Sequence, residues 1–250
     1  MTSLVLLSGW GVDARIWQPL APYWPQGLNV QTPDWPGYGA PADTLQPVPA
    51  TPDDMAGLAR QMASKLPTDA VWVGWSLGGL LASSLLAYLP PPRALVMLGM
   101  GPRFCATDGV TDTELATFRR TFERNPDATW RHFLRWQLQG EPDSRTAYRR
   151  LLDLVGHKPS ASCATLAAGL DLLARLDARH ILATPPCPIH QVVGRNDPLL
   201  SGSIRQAADH ILGDTGHCPM LTRPDRLARH LVAVLSRVDH ATPLAMTLPP

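Results

Sequence analysis

Cysteine is scarce in this 250-residue chain: Cys105, Cys163, Cys187 and Cys218 are all there is, and no two form a Cys-x-x-Cys pair. That removes the spacings of a zinc site and of a thioredoxin-like motif, and the four thiols read as reduced cysteines. Excess charge of one sign is also missing. Twenty-two Lys and Arg face 21 Asp and Glu, a formal +1 at pH 7, so the chain as a whole has no electrostatic pull on nucleic acid or a membrane surface. No apolar run reaches the length of a membrane span. The longest, around Leu77–Leu89, is interrupted by two glycines and two serines. Met1-Thr2-Ser3 supplies no basic stretch ahead of the apolar Leu4–Leu7, so no signal peptide is read there. The 26 prolines are scattered along the chain rather than gathered in a long Pro-rich tract, and no internal repeat is found. These absences point to a soluble, cytoplasmic globular protein, and a monomer is expected. Its 45% hydrophobic and 17% charged residues keep it clear of disorder.

What is present is an alternation. Ser3–Leu7, Leu28–Thr32, Ala70–Gly74, Ala94–Leu98, Ile189–Val193 and Asp209–Leu212 read as strands, and Asp53–Leu66, Leu77–Leu89, Ser201–Ala208 and Pro224–Val238 as helices. Strands alternating with helices predict an α/β fold with a mainly parallel sheet and helices on both faces. The strands are continuous apolar runs, as burial on both faces requires. From about Thr111 to Arg179 the rhythm changes to helical periodicity alone. The expected organisation is a core of residues 1–110 and 180–240, an inserted helical cap at 111–179, and a flexible tail at 241–250.

The chemistry centres on Gly74-Trp75-Ser76-Leu77-Gly78. A strand precedes this G-x-S-x-G and a helix follows it, the context a nucleophile elbow needs. Small residues at 74 and 78 relieve a turn too tight for side chains. The serine hydroxyl then stands at a helix N-terminus, where developing negative charge is stabilised. A serine needs a base at neutral pH. With the chain order Ser, acid, His, His217 in Gly216-His217-Cys218-Pro219 is the candidate base. Asp197 in Gly194-Arg195-Asn196-Asp197-Pro198 is the candidate acid, ranked above Asp209 and Asp214. Oxyanion donors are expected from the backbone N–H groups of Leu77 and of Trp10, in Ser8-Gly9-Trp10-Gly11 after the first strand, with the Trp10 indole a wall of an acyl pocket. A G-x-S-x-G turn also occurs with an incidental serine, and Asn-Asp-Pro is turn chemistry in its own right. Ester hydrolysis by this set calls for no metal or organic cofactor.

Two features of the helical segment bear on substrate. In Phe133-Leu134-Arg135-Trp136-Gln137, positions 133 and 137 share a helix face with Trp130 and Leu134. Gln137 then either hydrogen-bonds the polar end of an acyl chain or marks the rim of a core helix. Between Arg119 and Arg150 stand eight arginines against four acids. They include the i, i+4 pairs Arg131/Arg135 and Arg145/Arg149. Such a set suits phosphate and carboxylate partners, or is simply a solvated face partly neutralised by Glu141 and Asp143.

Leu6-Leu7-Ser8-Gly9-Trp10-Gly11, Asp34-Trp35-Pro36-Gly37-Tyr38-Gly39 and Gly74-Trp75-Ser76-Leu77-Gly78-Gly79 resemble the α/β-hydrolase superfamily. More narrowly, they resemble the pimeloyl-acyl-carrier-protein methyl ester esterases of biotin synthesis, over about residues 3–235. The resemblance implies the α/β-hydrolase fold and a serine carboxylesterase whose partner is an acyl-carrier protein bearing a pimeloyl methyl ester. It also implies a substrate site of Trp10, Ser76, Leu77, Phe133, Gln137 and His217, and carrier contacts at Arg145, Arg149 and Arg131. Many relatives carry His-Gly where this chain has Ser8-Gly9; backbone donation survives that change. A general short-chain carboxylesterase or carbon–carbon bond hydrolase keeps the same fold and triad. A catalytically silent binding protein is the reading of a different class.

Overall fold

The computed structural model describes residues 3–39 and 54–240. The expected tail at 241–250, and Asp53 at the start of an expected helix, lie outside the described residues. Strands β1 (Ser3–Leu7), β2 (Val30–Gln31), β3 (Ala70–Trp75), β4 (Ala94–Leu98), β5 (Ile189–Gly194) and β6 (His210–Leu212) form one sheet in the order β2-β1-β3-β4-β5-β6. Every pairing is parallel. β1, β3 and β4 are buried throughout, which is why their sequences are unbroken apolar runs rather than alternating ones. The expected strand Leu28–Thr32 shrinks to two paired residues. It is an edge with β1 as its one neighbour, and Pro33, lacking an N–H, follows at once.

Helices α1 (Met55–Met62) and α2 (Leu77–Leu85) precede β4. α2 stops four residues short of the expected Leu89: Leu86, Ala87 and Tyr88 turn back onto carbonyls three residues earlier, ahead of Pro90-Pro91-Pro92. Between β4 and β5 come α3 (Asp112–Arg124), α4 (Pro126–Trp136), α5 (Ser144–Val155), α6 (Cys163–Arg175) and α7 (Arg179–Ala183), with no strand. Their boundaries follow local chemistry. Thr111 and Glu114 form a capping box at α3, Asn125 caps α4 with Pro126 in its first turn, Asp143 caps α5 and Ser162 caps α6. After β5 come α8 (Gly202–Ala207), α9 (Pro219–Thr222) and α10 (Pro224–His240). A ten-residue 3-10 helix at Ala14–Tyr23, containing Pro19 and Pro22, has no counterpart in the sequence reading. Its buried face is Ile16, Trp17 and Leu20.

Two tryptophans join the inserted helices to the loop after β1. The Trp10 indole donates to Leu166 O of α6 at 2.8 Å, and the Trp130 indole of α4 donates to Gly11 O at 2.7 Å. Both bonds are buried, so each satisfies two polar groups that would otherwise cost about 1–3 kcal/mol apiece. All four cysteines are free thiols. Among the described residues no helix is long and apolar enough to cross a membrane.

At the far edge of the sheet, His210 of β6 stacks on His230 of α10 with ring centroids 4.0 Å apart. His230 Nε2 is buried without a hydrogen-bond partner. Burial first, then repulsion of its positive charge by the nearby His210, Arg237 and His190, pushes His230 down to about 4; Asp209 opposes the same trend at His190. The folded protein therefore favours the neutral imidazole. Its contribution to stability is complete above the unfolded pKa of about 6.5 and is lost as pH falls toward the folded value. The unfolding temperature should drop between about pH 7 and pH 4.5, and His230→Phe, which keeps the stacked ring, should flatten that slope. Parallel profiles for the two proteins in thermal unfolding would refute this.

Candidate active site

A parallel sheet delivers all its C-terminal strand ends to one side, and the loops leaving β1, β3, β5 and β6 carry the site. Ser76 sits between β3 and α2 with φ 55° and ψ −128°, a conformation costing about 1–3 kcal/mol for a residue with a side chain. Its surroundings hold it there. Ser76 N donates to Leu98 O and Gly79 N donates to Ser76 O, both at 2.8 Å. A Cβ at position 74 would lie 2.5 Å from Gly78 O, and one at 78 would lie 2.5 Å from Ser8 O. Only glycine fits at either place, the close approach that the motif implies.

His217 Nδ1 lies 2.7 Å from Asp197 Oδ2. Asp197 is anchored by its other oxygen, which accepts from Leu199 N at 2.9 Å. With Nδ1 directed at the carboxylate, Nε2 is the nitrogen left to accept a proton, and it is buried without a partner. The rival acids stand elsewhere. Asp209 accepts from Gln191 N, and Asp214 is exposed beside Arg226. Ser76, Asp197 and His217 are 3%, 1% and 1% exposed, so the site is closed and water is largely excluded from it.

The oxyanion candidates flank the serine. Leu77 opens α2, where the first N–H groups have no helical acceptor. The Ser8–Gly11 loop is packed so close that a Cβ on Gly9 would fall 2.9 Å from Ser76 Cβ, which sets Trp10 next to the elbow. α6 covers both: a Cβ on Gly169 would meet the Trp10 ring at 2.7 Å and Leu77 Cδ2 at 3.4 Å. Phe133 meets the Trp10 indole edge to face at 4.9 Å. Gln137 is fully buried, and neither its amide nitrogen nor its oxygen has a partner.

The arginines divide. Arg145 lines a cleft of about 290 Å³ together with Arg135, Gln139, Ser144 and Tyr148, and the Arg135 guanidinium lies over the Tyr148 ring at 4.9 Å. Arg149 is exposed and donates to Thr146 Oγ1 at 3.1 Å; Arg131 is partly buried. Neither lines that cleft. Arg119 pairs with Asp171, and Arg150 donates to Leu221 O. Of the two acids that could partly neutralise this set, Asp143 caps α5 and its carboxylate also interacts with Arg149, while Glu141 is turned inward.

Glu141 is the residue that the sequence reading missed. Its carboxylate accepts from Cys218 N at 2.8 Å and from Thr222 Oγ1 at 2.5 Å, so it grips the chain immediately after His217. Trp75 grips the same loop from the other side, its indole donating to His217 O at 2.8 Å. Burial and the carboxylates of Glu141 and Asp197 push the Cys218 thiol well up, so it stays protonated. No local signal distinguishes Glu141 from any other acid after a helix; its role exists because two distant loops meet. Glu141→Ala should leave the Cys218 N–H buried and unpaired, at about 1–3 kcal/mol. Denaturant unfolding measures that loss, and an unchanged midpoint would show the contact to be idle.

The comparisons with known proteins agree with this geometry. Residues 4–230 match the family model described as "Alpha/beta hydrolase family". Two pimeloyl-acyl-carrier-protein methyl ester esterases, from Pseudoalteromonas atlantica and Aromatoleum aromaticum, are each 33% identical to the chain. The first alignment covers 89% of this chain and 90% of the relative, the second 90% and 94%. Among solved structures, an esterase from Exiguobacterium antarcticum superposes with a TM-score of 0.74 at 17% identity, covering 94% of this chain and 92% of that one. A bromoperoxidase from Bacillus anthracis gives 0.75 at 16%, with 94% and 92% covered. At such identity the solved structures speak to the fold alone. The chain belongs to the alpha/beta hydrolase family, as a carboxylic ester hydrolase.

Proposed function

We propose that the protein hydrolyses the methyl ester of a pimeloyl chain carried on an acyl-carrier protein, releasing methanol and the free carboxylate, as the relatives' name describes for them. In this reading Ser76 Oγ attacks the ester carbonyl while His217 Nε2 takes its proton. Asp197 holds the imidazole tautomer and stabilises the imidazolium. The Leu77 and Trp10 N–H groups receive the oxyanion. His217 returns its proton to the departing methoxide, then activates a water that cleaves the acyl-serine. Proton transfer between serine, histidine and water carries every step, so the reading assigns no role to a cofactor. The compartment that suits it is the cytoplasm.

The observation that carries the choice of acyl group is Gln137. A buried side-chain amide with no partner is costly, and an ester group at the end of an otherwise apolar chain supplies what it lacks. Phe133 and Trp10 give the methylenes an apolar wall. The 111–179 segment acts as a cap in this reading, since α4 and α6 cover the elbow. Substrate therefore enters by displacement of those helices, and the Trp10–Leu166 and Trp130–Gly11 bonds are what that movement strains. Arg145, Arg149 and Arg131 face the acidic carrier.

Ser76→Ala should lower kcat by about four to six orders of magnitude and abolish labelling by a fluorophosphonate probe. It should also fail to restore biotin-independent growth to a host lacking its own esterase, where the unaltered chain succeeds. Arg145→Glu combined with Arg149→Glu should raise KM for the carrier-linked ester by about tenfold and weaken its salt dependence. Equal rates on carrier-linked and p-nitrophenyl esters, indifferent to those arginines, would instead mark a general short-chain esterase.

A further inference from the structure

The turn after α4 lies between the two loops that carry Asp197 and His217. A Cβ on Gly140 would collide with Asn196 O, one residue before Asp197. A Cβ on Gly216, one residue before His217, would lie 2.8 Å from the Gly140 carbonyl carbon and 3.1 Å from Glu141 N. Backbone therefore meets backbone on both sides of this turn, with no room for a side chain at either glycine. Glu141 adds the polar contact. It is 6% exposed, and its two carboxylate oxygens take separate donors on the other side of His217: Cys218 N at 2.8 Å and Thr222 Oγ1 at 2.5 Å. The turn thus holds the base loop by packing before His217 and by hydrogen bonds after it. A carboxylate makes stronger bonds of this kind than a neutral acceptor.

The acid loop has anchors of its own. Asp197 O accepts from Arg205 Nη1 of α8 at 2.8 Å, Asp197 N donates to Gly194 O at 3.2 Å, and Asp197 Oδ1 accepts from Leu199 N. The base loop is fastened differently. The Trp75 indole holds His217 O from the elbow, Asn196 N holds Thr215 O from the acid loop at 3.0 Å, and Glu141 holds Cys218 N from the inserted helices. Loss of Glu141 would therefore leave the acid in place and free the backbone immediately after the base. The turn is also a direct continuation of α4. Gln137 N donates to Phe133 O, Gln139 N to Trp136 O and Glu141 N to Leu138 O, so the partnerless Gln137 and the clamping Glu141 belong to one short rigid run.

Resting on the assignment of Ser76 as nucleophile and His217 as base, we infer that Glu141 is a positioning residue for that base. It acts through the Cys218 N–H and fixes where the His217 imidazole stands relative to Ser76. Asp197 cannot do this alone. A hydrogen bond at Nδ1 sets the tilt of the ring, but the ring can keep that bond while its Cα shifts. The tie at Cys218 removes the shift. Proton transfer needs Nε2 within about 2.6–3.2 Å of the serine oxygen, and a misplacement of about 1 Å costs on the order of a hundredfold in rate. Because Gln137 and Glu141 share one rigid run, the same tie holds the base at a set distance from the buried amide.

The test follows turnover of p-nitrophenyl acetate beside labelling by a fluorophosphonate probe. The label bound at completion counts folded sites, and the rate of labelling reports the base. Glu141→Ala should label more slowly and lower kcat per labelled site by about a hundredfold, with KM within about twofold. A loss of fold alone would lower the amount labelled and leave turnover per labelled site unchanged. Glu141→Gln, whose side-chain oxygen can still accept from Cys218 N, should recover to within about fivefold of the unaltered protein. Thr222→Val takes one donor from the carboxylate, leaves the other, and should lower kcat per labelled site by about threefold; it carries the test if Glu141→Ala does not fold. Full turnover per labelled site in Glu141→Ala, or in Thr222→Val where the first does not fold, overturns the inference. So does a Gln variant as slow as the Ala variant, since the charge and not the tie would then be what counts. Those outcomes leave the assignment of Ser76 and His217 standing. A Ser76→Ala protein that turns over as fast as the unaltered one overturns that assignment and the inference together.

Discussion

Everything in the site depends on one turn that is too tight for side chains. Ser76 is held at φ 55° by a β3–α2 connection in which Gly78 O stands where a Cβ of residue 74 would be, and Ser8 O where a Cβ of residue 78 would be. That crowding is structural, because it presses the loop after β1 against the elbow. The same contact brings the Trp10 loop beside Ser76 and its neighbour Leu77. A Cβ added at either glycine would displace backbone, and both oxyanion candidates would move with it.

Around this point the fold arranges support from distant parts of the chain. The His217 loop is held by Asp197 through its ring, by Trp75 through its carbonyl and by Glu141 through the next N–H. These come from the loop after β5, the last residue of β3 and the turn after α4. The imidazole is thus oriented by a hydrogen bond and located by two more on its backbone, which limits its freedom before any substrate arrives. The inserted helices are fastened to the core by the two buried indole bonds at Trp10 and Trp130. The Trp10 bond also places α6 over the oxyanion candidates.

Most of the fold was legible in the sequence, and where it was not the reasons are physical. β1 and β4 match their expected limits because a strand buried on both faces is a bare apolar run with clear ends. β2 was overread because an edge strand pairs on one side only, and pairing is not written in its residues. The 3-10 helix at Ala14–Tyr23 escaped because its prolines argue against a helix, while its tryptophan and leucine are held by packing. As candidates, Ser76, Asp197 and His217 could be picked out from their loops, since elbow and turn chemistry leave local marks. Gln137 was left open by the sequence between rim and pocket; tertiary packing buries it with both polar atoms unpaired.

The sequence by itself determined the elbow, the order of the triad candidates and the alternation of a parallel sheet. Each of these follows from local sterics or from periodicity along neighbouring residues. Only the tertiary structure decided that Glu141 holds the His217 loop and is turned away from the arginines, and that Arg135 joins Arg145 rather than Arg131. These are relations between side chains far apart in the chain, and they come into being only when the sheet and the inserted helices pack against one another.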